Sequence, residues 1–485
     1  MKIYYENNDF DYELDKLTRM FFPNEKLEAV KTPADTYETT HIVVRLFEEG
    51  GRRCIFTEVC IGDFCERSKK TLSDGDDAEL EAALLLYDHL TKLTGVTPPW
   101  GVLTGVRPIK LFRRLKEEGG QEYAVNYFTE RFRASKEKTA LTVETEKNEG
   151  EILKKTTDRS FSLYISVPFC PSRCSYCSFV SASTERTKHL IEPYTQLLCR
   201  ELEATADIVK KLGLRLESVY MGGGTPTTLS ADQLSRVLGT VRSRFDMSSC
   251  REFTVEAGRP DTITLDKLKA MKSVGVDRIS INPQTLNDEV LKRIGRRHTS
   301  EDIVVCFKQA RECGFDHINM DLIAGLPGDT AESFKKTLDG ITALSPESIT
   351  IHTLSMKRAS DLTQNGKMID KHEAEEAEHM LTYADEALHK NGYAPYYLYR
   401  QSRMVGNLEN TGWSKPGKEG YYNVFIMDET QTIIACGAGA VTKLSASMSD
   451  IERIFNFKYP YEYIDRFDEI LRRKEGIERF YDKPR

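Results

Sequence analysis

Three cysteines crowd one short stretch, PFCPSRCSYCSF, at Cys170, Cys174 and Cys177. Thiolates at this C-x3-C-x2-C spacing are the ligands an iron–sulfur cluster takes, and three of them leave one iron of a four-iron cube open to a small molecule. A structural zinc is the plainer use of clustered cysteines, but it takes four protein ligands. No fourth Cys or His lies between 165 and 188, so cluster ligation is the favoured reading. A glycine run, MGGGTPT at 221–227, places Gly223, Gly224 and Thr225 together. Glycines let backbone approach a ligand closely and offer N–H groups to a carboxylate or carbonyl, although tight strand-to-helix turns use them too. Glu256 in FTVEAGRP, Gln284 in SINPQT and Asp321 in NMDLIAGLPGDT each stand in or just after a short apolar run. Asp321 interrupts a segment that is otherwise apolar, where an unpaired buried charge is costly.

These residues need elements to bring them together. Short β-branched runs at 163–167, 217–221, 252–257, 278–282, 317–325 and 348–354 alternate with helical patterns at 188–211, 231–244, 264–274, 299–313 and 331–344. That alternation predicts an α/β fold built as a partial (β/α)6 barrel. Ligands of such barrels sit at the C-terminal strand ends, where the polar residues above would converge. The expected division is an N-terminal α+β domain over 1–158, the barrel over 159–356 and a mixed C-terminal region over 357–485. In the first, THIVVRLF and RCIFTEVCI pair around the turn signal EEGG, and 79–93 forms a helix. Helical patterns run through 108–150, and EKNEGEILKKTTDRS (146–160) reads as a linker or a solvated helix end. In the last, 372–393 is an amphipathic helix, YNVFIM (422–427) and QTIIACGAGA (431–440) read as strand and loop, and the tail from Tyr461 is helical.

Composition bounds the rest. The 485 residues, 40% hydrophobic and 29% charged, suit a globular protein of two or three domains. No apolar run approaches the roughly 18 residues of a membrane span. The N-terminus lacks the apolar core of a secretory signal, so a cytoplasmic location is expected. A net charge of −7 without a long basic tract argues against a nucleic-acid partner. Eleven cysteines, an odd number, argue against a disulfide framework in this setting. Cys54, Cys60, Cys65, Cys199, Cys250, Cys306, Cys313 and Cys436 read as small core residues, and His372 and His379 as solvated.

The motif YxxxPFCxxxCxYCxF, from Tyr164 to Phe179, closely resembles the radical S-adenosylmethionine (SAM) enzymes of the oxygen-independent coproporphyrinogen III oxidase group. The resemblance is close over 163–354 and looser to about 445, while WGVLTGVRPIKLF (100–112) and NLENTGWSKPGKEGYYN point to its HemZ branch. It implies a 4Fe–4S cluster on Cys170, Cys174 and Cys177. It implies SAM held by Tyr164, Gly223, Gly224, Thr225, Glu256, Gln284, Arg296 and Asp321, with no catalytic residue beyond these. GAGA (437–440) resembles a glycine segment of the group. The implied reaction passes one electron to SAM, and the 5′-deoxyadenosyl radical takes a β-hydrogen from a propionate of coproporphyrinogen III. Loss of CO2 and an electron leaves a vinyl, and a second round gives protoporphyrinogen IX. Implied partners are the tetrapyrrole and a reductant such as flavodoxin or ferredoxin. The substrate is polyanionic, so Arg400, Arg403, Lys415 and Lys418 are candidates to pair with its carboxylates. Two alternatives stay open: a haem chaperone like HemW, and another radical SAM reaction on a tetrapyrrole. HemW proteins carry H-N-x-x-Y-W where this chain reads LENTGW around Trp413, which disfavours the first. The second draws on two departures: Phe179 stands where the well-known oxidases carry an extra cysteine, and they lack the long N-terminal domain.

Overall fold

The computed structural model describes residues 1–31, 36–179, 181–447 and 450–483. The chain packs as two compact units: Met1–Val143 with Lys367–Glu375 and Tyr399–Glu409, and Glu144–Gly366 with Glu376–Leu398 and Asn410–Arg485. The stretch after 356 therefore divides between both units rather than standing alone.

The first unit is built on a five-stranded sheet in the order β2-β1-β3-β4-β5, with β1 at Lys2–Glu6, β2 at Glu28–Val30, β3 at His41–Glu49, β4 at Arg52–Ile61 and β5 at Phe64–Thr71. Alternating residues such as Ile42, Val44, Ile55 and Val59 face helices Asp11–Phe21 and Ala78–Thr94 and form the core with Leu14, Leu17, Leu86 and Leu90. The β3–β4 hairpin follows the sequence reading, because Gly50 and Gly51 both take φ near the left-handed region, at 59° and 75°. Two cysteines depart from it. Cys60 and Cys65 face each other across the β4–β5 hairpin and form a disulfide. A short turn folds positions five residues apart into a cross-strand pair, with Cα atoms 4.1 Å apart. Arg400 is also placed in this unit, buried, with its guanidinium on the Leu103 and Asn407 carbonyls and over the Trp100 ring. Two of its guanidinium nitrogens are thereby committed to main-chain carbonyls.

The second unit carries an 11-stranded sheet. Its centre is six parallel strands in sequential order: β6 (Ser160–Val167), β9 (Arg215–Gly223), β10 (Glu252–Gly258), β11 (Arg278–Ile281), β12 (Ile318–Ala324) and β13 (Ser348–Thr353). The intervening short pair β7 (Phe169–Cys170) and β8 (Ala182–Ser183) brackets the cysteine loop. Helices Thr184–Lys211, Ala231–Arg244, Leu265–Ser273, Ser300–Glu312 and Ala331–Leu344 return the chain between strands. This is the expected partial (β/α)6 barrel. Beyond β13 lie antiparallel β15 (Asn410–Ser414) and β14 (Ala394–Tyr399). On the other side β16 (Thr432–Cys436) runs parallel to β6, followed by β17 (Val441–Ser447) and β18 (Asp450–Phe455).

Two readings change here. YNVFIM is not a strand: Tyr421–Asp428 is a helix whose first N–H groups, at Tyr421 and Tyr422, donate to the Glu252 carboxylate. A six-residue apolar run cannot by itself distinguish a buried strand from a buried helix, and the carboxylate cap decides for the helix. The polar stretch from 146 is not a linker at its start, since helix Lys136–Leu153 continues through it with Glu146 and Glu149 buried. Among the described residues no helix is long and apolar enough to cross a membrane.

Candidate active site

The cysteine loop leaves the C-terminal end of β6 at the barrel mouth. Cys174 is buried and Cys170 and Cys177 are half-buried, all three as free thiols. The Thr225 hydroxyl donates to Cys170 Sγ at 3.5 Å, and the Arg259 guanidinium points at Cys174 Sγ at 3.8 Å. Burial pushes the Cys177 thiol up to about 11, so its anionic, ligating form needs a positive partner, which bound iron supplies. Among the described residues, the group whose ligand atoms all fall within 4.8 Å of one another is His41, Glu58 and Cys60. That group is already spent: Cys60 is in the disulfide, and His41 Nε2 is hydrogen-bonded to Glu58 at 2.8 Å. The three loop thiols do not all lie within 4.8 Å of one another. Three thiolates on one loop suit three irons of a cube, whereas a structural zinc takes four protein ligands.

The glycine run serves this loop directly. Gly224 N–H donates to Val167 O and Thr225 N–H to Phe169 O, both at 2.7 Å. The two amides expected to meet a ligand thus bind carbonyls of the chain itself and lock the cysteine loop onto β9. A Cβ on Gly224 would lie 2.5 Å from Phe169 O, and Gly223 has φ +105°, so both positions require glycine.

Below the loop, Glu256, Asp321 and Tyr164 face the barrel interior. The Tyr220 hydroxyl donates to Glu256 Oε1 at 2.7 Å. Tyr164, Tyr220 and Tyr422 stack, with the Tyr220 and Tyr422 centroids 4.4 Å apart and Tyr164 6.0 Å from Tyr422. Asn319 Nδ2 donates to Asp321 Oδ1 at 2.7 Å, and His352 Nε2 lies 3.8 Å from Oδ2. Burial favours the protonated acid at Asp321, but His352, Asn319 and Thr350 outweigh it and hold the carboxyl below its usual range. Gln284 is pinned by backbone: its N–H donates to Asp321 O at 2.9 Å, with its own φ at 68°. Arg296 is buried beside the cysteine loop, donating to Asn282 O at 2.6 Å and to the Tyr176 hydroxyl at 3.1 Å, with its Nε unpaired. Arg297 instead points outward to Glu185.

Glu256 has the opposite shift from Asp321. Burial pushes its carboxyl up to about 7, the Tyr220 hydrogen bond and His352 oppose this, and the Asp321 charge adds to it. An acid raised in the fold holds its proton more tightly there than in the unfolded chain. Its stabilisation is present below the unfolded value of 4.5 and is lost as pH rises to about 7. Ligand-free protein is expected to lose stability across that window relative to Glu256→Gln. Urea midpoints of the two proteins that stay parallel from pH 4.5 to 7 would contradict this.

Sequence reasoning missed Tyr176, Tyr220, Tyr422, Arg259 and His352. Tyr220 carried a usable signal, since in β9 it alternates with the buried Val219 and Met221. The basic candidates fare differently. Lys415 N–H donates to Glu347 O, and its ammonium bonds Ser345, which precedes β13. Lys418 reaches Asp316, which precedes β12. Because β15 runs antiparallel to β13, both lysines return to the floor of the barrel, away from the cysteine loop. Arg403 is exposed.

The GAGA segment has a clear structural place. Gly437 N–H donates to Glu201 Oε2 at 2.7 Å, and Ala438 N–H to the Tyr194 hydroxyl at 2.9 Å, which itself donates to Ser166 O at 2.8 Å. Glu201 also receives Tyr463 OH at 2.6 Å and Asn456 Nδ2 at 2.7 Å, and it pairs with Lys474 at 3.1 Å. Both charged side chains are about fully buried, at 0% and 1% exposure. This network clamps the end of β16 against the end of β6, from which the cysteine loop departs.

Residues 164–341 match the radical SAM superfamily. The chain is 39% identical over 397 residues to the oxygen-independent coproporphyrinogen-III oxidase-like protein HemZ of Bacillus subtilis, covering 80% of this chain and 79% of that protein. It is 32% identical over 259 residues to the haem chaperone HemW of the same organism, covering 52% and 67%. The structure of coproporphyrinogen III oxidase HemN from Escherichia coli, a radical SAM enzyme, aligns with TM-score 0.52 at 25% identity, covering 66% of this chain and 72% of that one.

Proposed function

Because this chain belongs to the radical SAM family of HemN, HemZ and HemW, in the HemZ branch, we propose that it oxidatively decarboxylates coproporphyrinogen III. The family's cofactors are a 4Fe–4S cluster and SAM. Bound on the three thiols, the cluster supplies the electron that cleaves SAM and begins radical chemistry. The observation that carries the proposal is the convergence of free thiols, the glycine clamp and a polar barrel interior at one strand end, in a chain aligned along most of a coproporphyrinogen-oxidase-like relative.

Each residue has a share in this reading. Arg296, buried with an unpaired Nε, offers a donor to the SAM carboxylate. Asp321, held ionised, and Gln284 offer acceptors and an amide to the nucleoside. Tyr164 lends a flat face, and Glu256 accepts or shares a proton near neutral pH. Thr225 and Arg259 orient Cys170 and Cys174. Each of two propionates would give up one hydrogen atom, one CO2 and one electron to an external acceptor, leaving a vinyl. A one-electron donor such as flavodoxin or ferredoxin would reduce the cluster.

The chaperone reading has less support in the residues. In place of a His-containing motif, Trp413 is buried in β15 and its neighbour His389 is already paired with Glu144 at 2.9 Å. Anaerobic incubation of reconstituted protein with SAM, reductant and coproporphyrinogen III is expected to show loss of one, then two, CO2 units, with matching 5′-deoxyadenosine. Stoichiometric haem binding without decarboxylation would favour the chaperone. A methylated or ring-opened tetrapyrrole would favour a different radical reaction.

A further inference from the structure

The segment that follows β13 at the barrel mouth carries a cation that none of the cluster or SAM roles uses. β13 ends at Thr353, and Leu354 N–H still donates to Ala324 O at the end of β12, so the following segment starts at the mouth. That segment then lies against the cysteine loop. Leu362 N–H donates to Ser175 O at 3.0 Å, and Arg173 donates to Ala359 O and lies 3.6 Å from Asp361. Between these anchor points Ser360 N–H and its hydroxyl both bond Lys357 O, at 2.9 and 2.8 Å, closing a turn that fixes the Lys357 backbone.

The Lys357 side chain is half-buried, and Arg358 beside it is exposed. Burial alone lowers the Lys357 ammonium, with no acidic neighbour to offset it. A long flexible cation normally escapes to water or finds a carboxylate, because desolvation without a partner is unfavourable. Here the turn holds it half out of water, and no carboxylate pairs with it. An anion delivered from outside would satisfy it. The residues proposed to hold SAM, Arg296 and the strand-end acids, lie on the β9–β12 side of the mouth, whereas Lys357 follows β13.

We infer that Lys357, supported by Arg358, is the anchor for a carboxylate of the tetrapyrrole substrate, holding it over the cysteine loop. The inference rests on the decarboxylase reading for its substrate but concerns a separate property, recognition of a porphyrin polycarboxylate. It replaces Lys415 and Lys418, which lie at the wrong end of the strands. A lysine acts as a point charge toward a carboxylate, and removing such a charged hydrogen bond weakens binding by roughly 10- to 100-fold.

The test uses the reconstituted holoprotein under anaerobic conditions, with iron content and melting temperature confirming folding. Fluorescence titration with coproporphyrin III and with its tetramethyl ester is expected to show tighter binding of the acid by the wild type. Lys357→Gln should weaken the acid by roughly 10- to 100-fold and leave the ester unchanged, and Lys357→Arg should recover most of the loss. In turnover, Lys357→Gln should raise KM for coproporphyrinogen III more than it lowers kcat. Equal acid affinity in wild type and Lys357→Gln, or a wild type indifferent to esterification, overturns the anchor. If coproporphyrinogen III is not decarboxylated but Lys357→Gln still loses acid affinity, the anchor stands and the decarboxylase reading fails. Decarboxylation with an unchanged KM in Lys357→Gln overturns the anchor and leaves the decarboxylase reading standing.

Discussion

Cys174→Ala is expected to abolish the brown absorption of the reconstituted protein and its SAM cleavage in one step. Cys174 is the most buried of the three loop thiols and the one that the Arg259 guanidinium faces, with Arg259 itself fixed by both oxygens of Asp261 at 3.0 and 2.8 Å. With two thiolates remaining, a cube loses a third of its protein ligands, and no other Cys lies on the loop. Iron bound per chain should fall below about a tenth of wild type, since metal sites bind through the full ligand set. Wild-type iron together with wild-type 5′-deoxyadenosine formation in Cys174→Ala would refute the cluster assignment.

Lys474→Met should be strongly destabilising. Glu201 and Lys474 are an ion pair removed from water, and Glu201 gathers donors from Tyr463, Asn456 and the Gly437 amide. Removing one partner of a buried pair strands the other charge and costs about 3–5 kcal/mol. Replacing both, as Glu201→Leu with Lys474→Met, should recover part of that loss, because the desolvation penalty disappears along with the attraction. Denaturant unfolding measures both; a loss under about 1 kcal/mol in Lys474→Met would show that the pair is relaxed by solvent rather than sealed. The same variant should also lose SAM affinity, as the clamp it breaks holds the end of β6.

Much of this arrangement was legible in the residues, for a physical reason. Strands of a parallel sheet are covered on both faces and read as short apolar runs, so all six barrel strands and their intervening helices appear in the pattern. The thiol spacing was equally direct. What stayed hidden depends on chain direction or on contacts distant in sequence. Lys415 and Lys418 look like substrate ligands until β15 is known to run antiparallel to β13. Tyr422 meets Tyr220 only because Glu252 caps its helix from 170 residues away. Arg259 is an ordinary arginine after a strand until the cysteine loop folds over it. The Cys60–Cys65 pair needed the β4–β5 register, which a spacing alone does not carry.

The position of β6 joins parts of the chain that lie far apart in sequence. Its two neighbours are β9, which begins 55 residues after β6 does, and β16, whose Thr432 pairs with Phe161. A chain emerging from the ribosome can pair β6 with β9 early, through a local contact that forms quickly. The other edge of β6 is completed only by β16, which follows every other barrel strand in the chain. Closure of so long a loop is slow but adds little further entropy per residue. The strand from which the cysteine loop departs is therefore held between a near neighbour and a distant one, and the Glu201–Lys474 pair fixes the distant one in place.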